Sequence, residues 1–91
     1  MPMNAKGLTK LMEECGELVQ IAAKKSACLD TDEHWDGKGS LKTRLEDEMG
    51  DVLAAVAFVA RTLDLDTQRI LARKTVKAEL FLKWHENPSQ S

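Results

Sequence analysis

Leu8-Thr9-Lys10-Leu11-Met12-Glu13-Glu14-Cys15-Gly16-Glu17-Leu18-Val19-Gln20-Ile21-Ala22-Ala23, read with its echo at Leu41 to Leu63, decides the fold. Leu8, Leu11, Met12, Cys15, Leu18, Val19 and Ala22 recur at helical spacing and predict a first helix reaching Ala27. Leu45, Met49, Val52, Val56, Val59 and Leu63 form the apolar stripe of a second. Ser40 or Thr43 starts it, and Thr43 with Glu46 fits a capping box. Residues three or four apart lie on one side of a helix, so Glu14 and Glu17 project together, as do Glu48 and Asp51. Antiparallel pairing of the two helices brings these four carboxylates to one spot. They repel unless a cation sits among them, and hard oxygen ligands on a rigid scaffold suit Mg2+ or Mn2+, with positions left for water and phosphate oxygens.

Glu48 is the most informative of the acids. It falls within the edge of the apolar stripe, where a carboxylate is costly unless paired, protonated or bound to metal. The competing reading is an ion pair with Arg44 on its own helix or with Lys10 across the groove. Glu13, Glu14 and Glu17 taken alone read as a solvated face supported by pairs such as Lys10 with Glu14.

The 91 residues predict one domain, spanning 1–91, and a chain this short buries only a modest share of its surface. A net charge of −2 argues against a nucleic-acid-binding face driven by bulk charge. Cys15 and Cys28, far from any His pattern, read as packed or idle thiols of a reducing compartment rather than a zinc site. No apolar core precedes the first acidic pair, so no signal peptide is read, and the longest uncharged apolar run, Val52 to Ala60, is far short of a membrane span. The expectation is a soluble, cytoplasmic protein with no membrane or nucleic-acid partner. Val52 to Ala60 is also apolar or small on every side of its helix and must be covered all round. Ala54, Ala55, Ala57 and Ala60 permit close helix approach, which predicts a homodimer or homotetramer with this segment at the centre of a four-helix-type bundle built across subunits.

Between the two helices, Leu29 to Ser40 is loop chemistry. Trp35 there has two readings: it stacks on a nucleobase while Lys38 meets a phosphate, or it folds back to plug the end of a small core. His34 is a general base or ligand only in the less common case for a lone loop histidine. Asp64 or Asp66 caps a third helix running to Trp84 or His85, with Ile70, Arg73, Lys77, Leu80, Phe81 and Trp84 on one side. Its basic residues either reach phosphate oxygens or lay their stems over apolar ground. Asn4 is a candidate cap for the first helix, and Glu86 to Ser91 reads as a frayed tail.

Leu11-Met12-Glu13-Glu14-Cys15-Gly16-Glu17-Leu18 followed by Leu45-Glu46-Asp47-Glu48-Met49-Gly50-Asp51-Val52-Leu53 resembles the EExxE…ExxD signature of the MazG-like, all-α nucleoside triphosphate pyrophosphohydrolases. The resemblance implies an all-α fold, a helical hairpin plus a third helix, and conversion of a (d)NTP to a (d)NMP and pyrophosphate in nucleotide-pool house-cleaning. It implies Mg2+, with Mn2+ as an alternative, held by Glu14, Glu17, Glu48 and Asp51, and Glu13 as the base that orients the attacking water. A basic residue of the helix after ExxD commonly helps hold the triphosphate in that superfamily, and Lys74 or Lys77 is the nearest match. The interval between Glu17 and Glu48 is long for the family, with the extra residues in the Trp35 loop. No P-loop and no Ser/His/Asp set is present, which disfavours Walker-type ATP use and covalent catalysis. The alternative to an enzyme is a non-catalytic helical oligomer that binds nucleotide, metal or a protein partner.

Overall fold

Two heptad patterns meet along one seam. In the computed structural model, which describes residues 7–87, the chain forms α1 (Leu8–Ala27), α2 (Leu41–Thr62) and α3 (Thr67–Glu86), with no strand among the described residues. The all-helical architecture expected from the periodicity is therefore present. The shielded side of α1 follows Gly7, Leu11, Glu14, Leu18, Ile21, Lys25 and Cys28, and that of α2 follows Leu41, Leu45, Glu48, Val52, Ala55 and Val59. Spacings that alternate between three and four keep such a stripe facing a neighbouring helix, as in coiled coils. α1 and α2 pack on each other in antiparallel fashion: Ile21 and Cys28 cluster with Leu41 at one end, while Gly7 meets Phe58 and Val59 at the other. Glu14 and Glu48 occupy the middle of this seam in place of apolar residues.

Local chemistry fixes the start of each helix and the end of α2. Gly7, at φ 95°, is the N-cap of α1, and a Cβ there would stand 2.6 Å from the Phe58 ring. Glycine is thus required by both backbone and packing. The candidate cap Asn4 lies outside the described residues. For α2 the cap is Ser40, whose hydroxyl accepts from Thr43 N–H at 3.1 Å, so of the two expected starts Ser40 holds and no Thr43–Glu46 box forms. Asp32 secures the same end: it accepts from Lys42 N–H at 2.7 Å and from the Ser40 hydroxyl, and these bonds hold its carboxyl below the usual range. The end of α2 is a Schellman turn, with Leu65 N–H donating to the Ala60 carbonyl at 2.8 Å and Asp64 in the left-handed region at φ 53°. Asp66 then caps α3 by accepting from Arg69 N–H at 3.0 Å.

The reading of Trp35 as a plug and the placing of Met49 in the stripe need correction. Trp35 is 79% exposed and plugs nothing; Leu41, fully buried, with Cys28 and Ile21, closes that end of the seam. Within Val52 to Ala60 the faces divide: Ala55 and Val59 are buried against α1, leaving Leu53, Ala54, Ala57 and Phe58 exposed. Met49, placed in the apolar stripe by sequence, is half exposed because the stripe runs through Glu48 instead. α3 contains no buried residue. The radius of gyration is correspondingly 16.0 Å, against about 12 Å for a compact chain of this length.

Candidate metal centre and adjoining cleft

α1 contributes Glu14 and Glu17 from adjacent turns, and α2 contributes Glu48 from its seam position. One carboxylate oxygen from each lies within 4.8 Å of the other two. Oε2 of Glu48 is buried and meets no donor, so neither partner suggested by its charge is used. Arg44 is bound to Asp36, and Lys10 pairs with Glu13 at 3.3 Å rather than with Glu14 or Glu48. Burial, then the carboxyl of Glu17 beside it, then the charges of Glu17, Glu14 and Asp51 push Glu48 up from an ordinary 4.5 to about 7. Glu14 is raised as well, first by the carboxyl of Glu17 beside it, then by burial and by the charges of Glu17 and Asp51, with Lys10 opposing. Three crowded carboxylates, with one buried oxygen lacking any donor, have the donor set and the deficit that a hard divalent cation would satisfy.

The other expected site residues are placed differently. Asp51, one turn beyond Glu48, is exposed and lies outside the 4.8 Å group, though near enough to raise both Glu14 and Glu48. Glu13 points away from the trio into its exposed ion pair with Lys10. Trp35 stacks on His34 with ring centroids 3.8 Å apart. His34 Nδ1 accepts from Asp36 N–H at 3.0 Å, and Lys38 N–H donates to Asp36 at 3.1 Å. Lys74 and Lys77 line a separate groove on α3 with Arg69, Ile70 and Arg73, and Lys77 Nζ lies 5.8 Å from the centre of the Phe81 ring. Among the described residues, none of Trp35, Lys38, Lys74 and Lys77 lines the cleft beside Glu17 and Glu48.

Beside the trio opens a cleft of about 360 Å3, walled by Glu17, Gln20 and Lys24 from α1 and Arg44, Asp47 and Glu48 from α2. That volume is in the range of small-ligand sites. Lys24, Arg44 and Asp36 were not among the expected site residues. Lys24 stands seven residues after Glu17, and Arg44 four before Glu48, so helical periodicity alone places each pair on one face.

A sequence profile described as the MazG nucleotide pyrophosphohydrolase domain matches residues 4–80. The chain belongs to the MazG nucleotide pyrophosphohydrolase family. That span takes in the acidic trio, the cleft and most of α3. Searches of curated proteins and of solved structures give no match. The MazG family acts on nucleotides, so the cleft beside the acids is the place to look for one. No helix among the described residues is long and apolar enough to cross a membrane.

Proposed function

We propose that this MazG-family chain hydrolyses a (d)NTP to a (d)NMP and pyrophosphate, using Mg2+ or Mn2+ held by Glu14, Glu17 and Glu48, with Asp51 completing the set from the next turn. The observation that carries this reading is the buried, donorless Oε2 of Glu48 among three carboxylate oxygens within 4.8 Å. A divalent cation bound there supplies neutralisation of phosphate charge and acidifies coordinated water. Glu13 is the base that takes a proton from the attacking water; in that role its side chain leaves Lys10 once substrate is present. The water oxygen joins one phosphorus, one P–O–P bridge breaks, and pyrophosphate and the monophosphate separate.

The active unit is a homodimer or homotetramer. α3 has no buried residue, and Leu53, Phe58, Leu71, Phe81 and Leu82 are at least 49% exposed, so a second copy gives these faces the cover that one chain does not. Lys74 and Lys77 act on phosphate across such an assembly, and Trp35 with Lys38 contacts the base end of the nucleotide. The role is nucleotide-pool house-cleaning in the cytoplasm.

The test is pyrophosphate release from a panel of ordinary and damaged (d)NTPs, with Mg2+, with Mn2+ and with a chelator. Metal-dependent release with monophosphate as co-product is expected. Silence across the panel, from folded and oligomeric protein, would reject turnover and favour a nucleotide- or metal-binding module.

A further inference from the structure

We propose that Lys24 and Arg44 form a phosphate seat in the cleft beside Glu17 and Glu48, an assignment that rests on reading this cleft as the nucleotide site. Both side chains are partly shielded, at 33% and 22% exposure, and both open into the cleft. One carboxylate orders them. Asp36 accepts from Lys24 Nζ at 2.9 Å and from both terminal nitrogens of Arg44 at 3.2 and 3.1 Å, and is itself 16% exposed.

Two cations share a single anion, so the cluster keeps a surplus positive charge. The fork of Arg44 spends one N–H of each terminal nitrogen on Asp36, leaving its other N–H groups and the remaining ammonium protons of Lys24 with no hydrogen bond among the described residues. Tying a loop to a helix takes only one exposed ion pair, and such pairs contribute little. Here two cations from different helices are instead held at fixed spacing along one cleft, with spare donors suited to phosphate oxygens. Asp47 is the acid on this wall outside the trio, and it accepts no hydrogen bond from either cation.

The cleft is thus bipolar. Acids at one end would suit a divalent cation, and Lys24 with Arg44 suits phosphate oxygens further along the cleft, which would orient a polyphosphate along the groove.

The experiment is calorimetric titration of the full chain with inorganic tripolyphosphate in excess Mg2+, alongside Mn2+ binding alone followed by electron paramagnetic resonance. Lys24→Met and Arg44→Met should each weaken tripolyphosphate about tenfold or more, the loss expected for one charge-assisted partner. Mn2+ affinity should stay within about twofold, since neither residue is a ligand. Arg44→Lys, which keeps the charge, should lose less than Arg44→Met. Tripolyphosphate affinity unchanged in both Met variants, absence of tripolyphosphate binding by the unaltered chain, or parallel loss of Mn2+ binding would each overturn the seat. Failure of the nucleotide reading looks different: tripolyphosphate binds through Lys24 and Arg44, yet no (d)NTP releases pyrophosphate.

Discussion

Cation binding should carry an unusual pH dependence, because a proton on Glu48 must leave before a metal enters. Burial and neighbouring carboxylates push Glu48 up to about 7. A group titrating at that value is about one-tenth ionised at pH 6, half at pH 7 and about nine-tenths at pH 8, since each pH unit changes the ratio tenfold. Apparent Mn2+ affinity should therefore rise about tenfold from pH 6 to pH 8, with about one proton released per cation at the lower pH. A carboxylate with an ordinary value of 4.5 is almost fully ionised throughout and would give a change of only a few per cent. Calorimetry at pH 6, 7 and 8, repeated in two buffers of different ionisation enthalpy, reads both quantities. A Mn2+ affinity constant to within about twofold over this range, with no proton released, would refute the argument that Glu48 is raised by burial among the acids.

In Glu48→Gln, metal-dependent activity should vanish while the helical hairpin persists. In chelator the unaltered protein should lose melting temperature as pH rises from about 4.5 to about 7, because the fold keeps a proton that the unfolded chain has released; the variant should not show this slope. Retained activity, or the same slope in the variant, would remove Glu48 from its assigned place. Gly7→Ala puts a Cβ at φ 95° and 2.6 Å from Phe58. Urea denaturation should show a loss of about 2–4 kcal/mol, and a loss under about 1 would mean that the ring moves aside freely. Leu53→Lys, on a face 68% exposed in one chain, should shift sedimentation toward the monomer; an unchanged profile would place the interface elsewhere. Leu41→Ala, at a fully buried position, should cost about 2–5 kcal/mol by thermal or chemical melting.

The sequence by itself determined the helices, because their signals are local. Apolar spacing marked α1 to its observed end at Ala27, and Ser40 and Asp66 stood where a side-chain oxygen caps the next helix. It also marked Glu48 as an acid on an apolar stripe, since that depends only on periodicity within one helix. Tertiary structure decided what depends on distance between elements. Side-chain direction turned Glu13 toward Lys10 and kept Asp51 outside the group of closest oxygens, although both belong to the same acidic motifs. Trp35 went to the surface because the far end of the seam was already filled by Leu41 and Cys28, neither of which stands out in the sequence. The bond network of Asp36 with Lys24 and Arg44 joins a loop to two helices across 8 and 12 residues, a closure that no local pattern encodes. The face of α2 that one chain leaves uncovered is likewise set by packing: Ala55 is taken by α1 and Leu53, two residues away, is left exposed, because a helix turns about 200° between them.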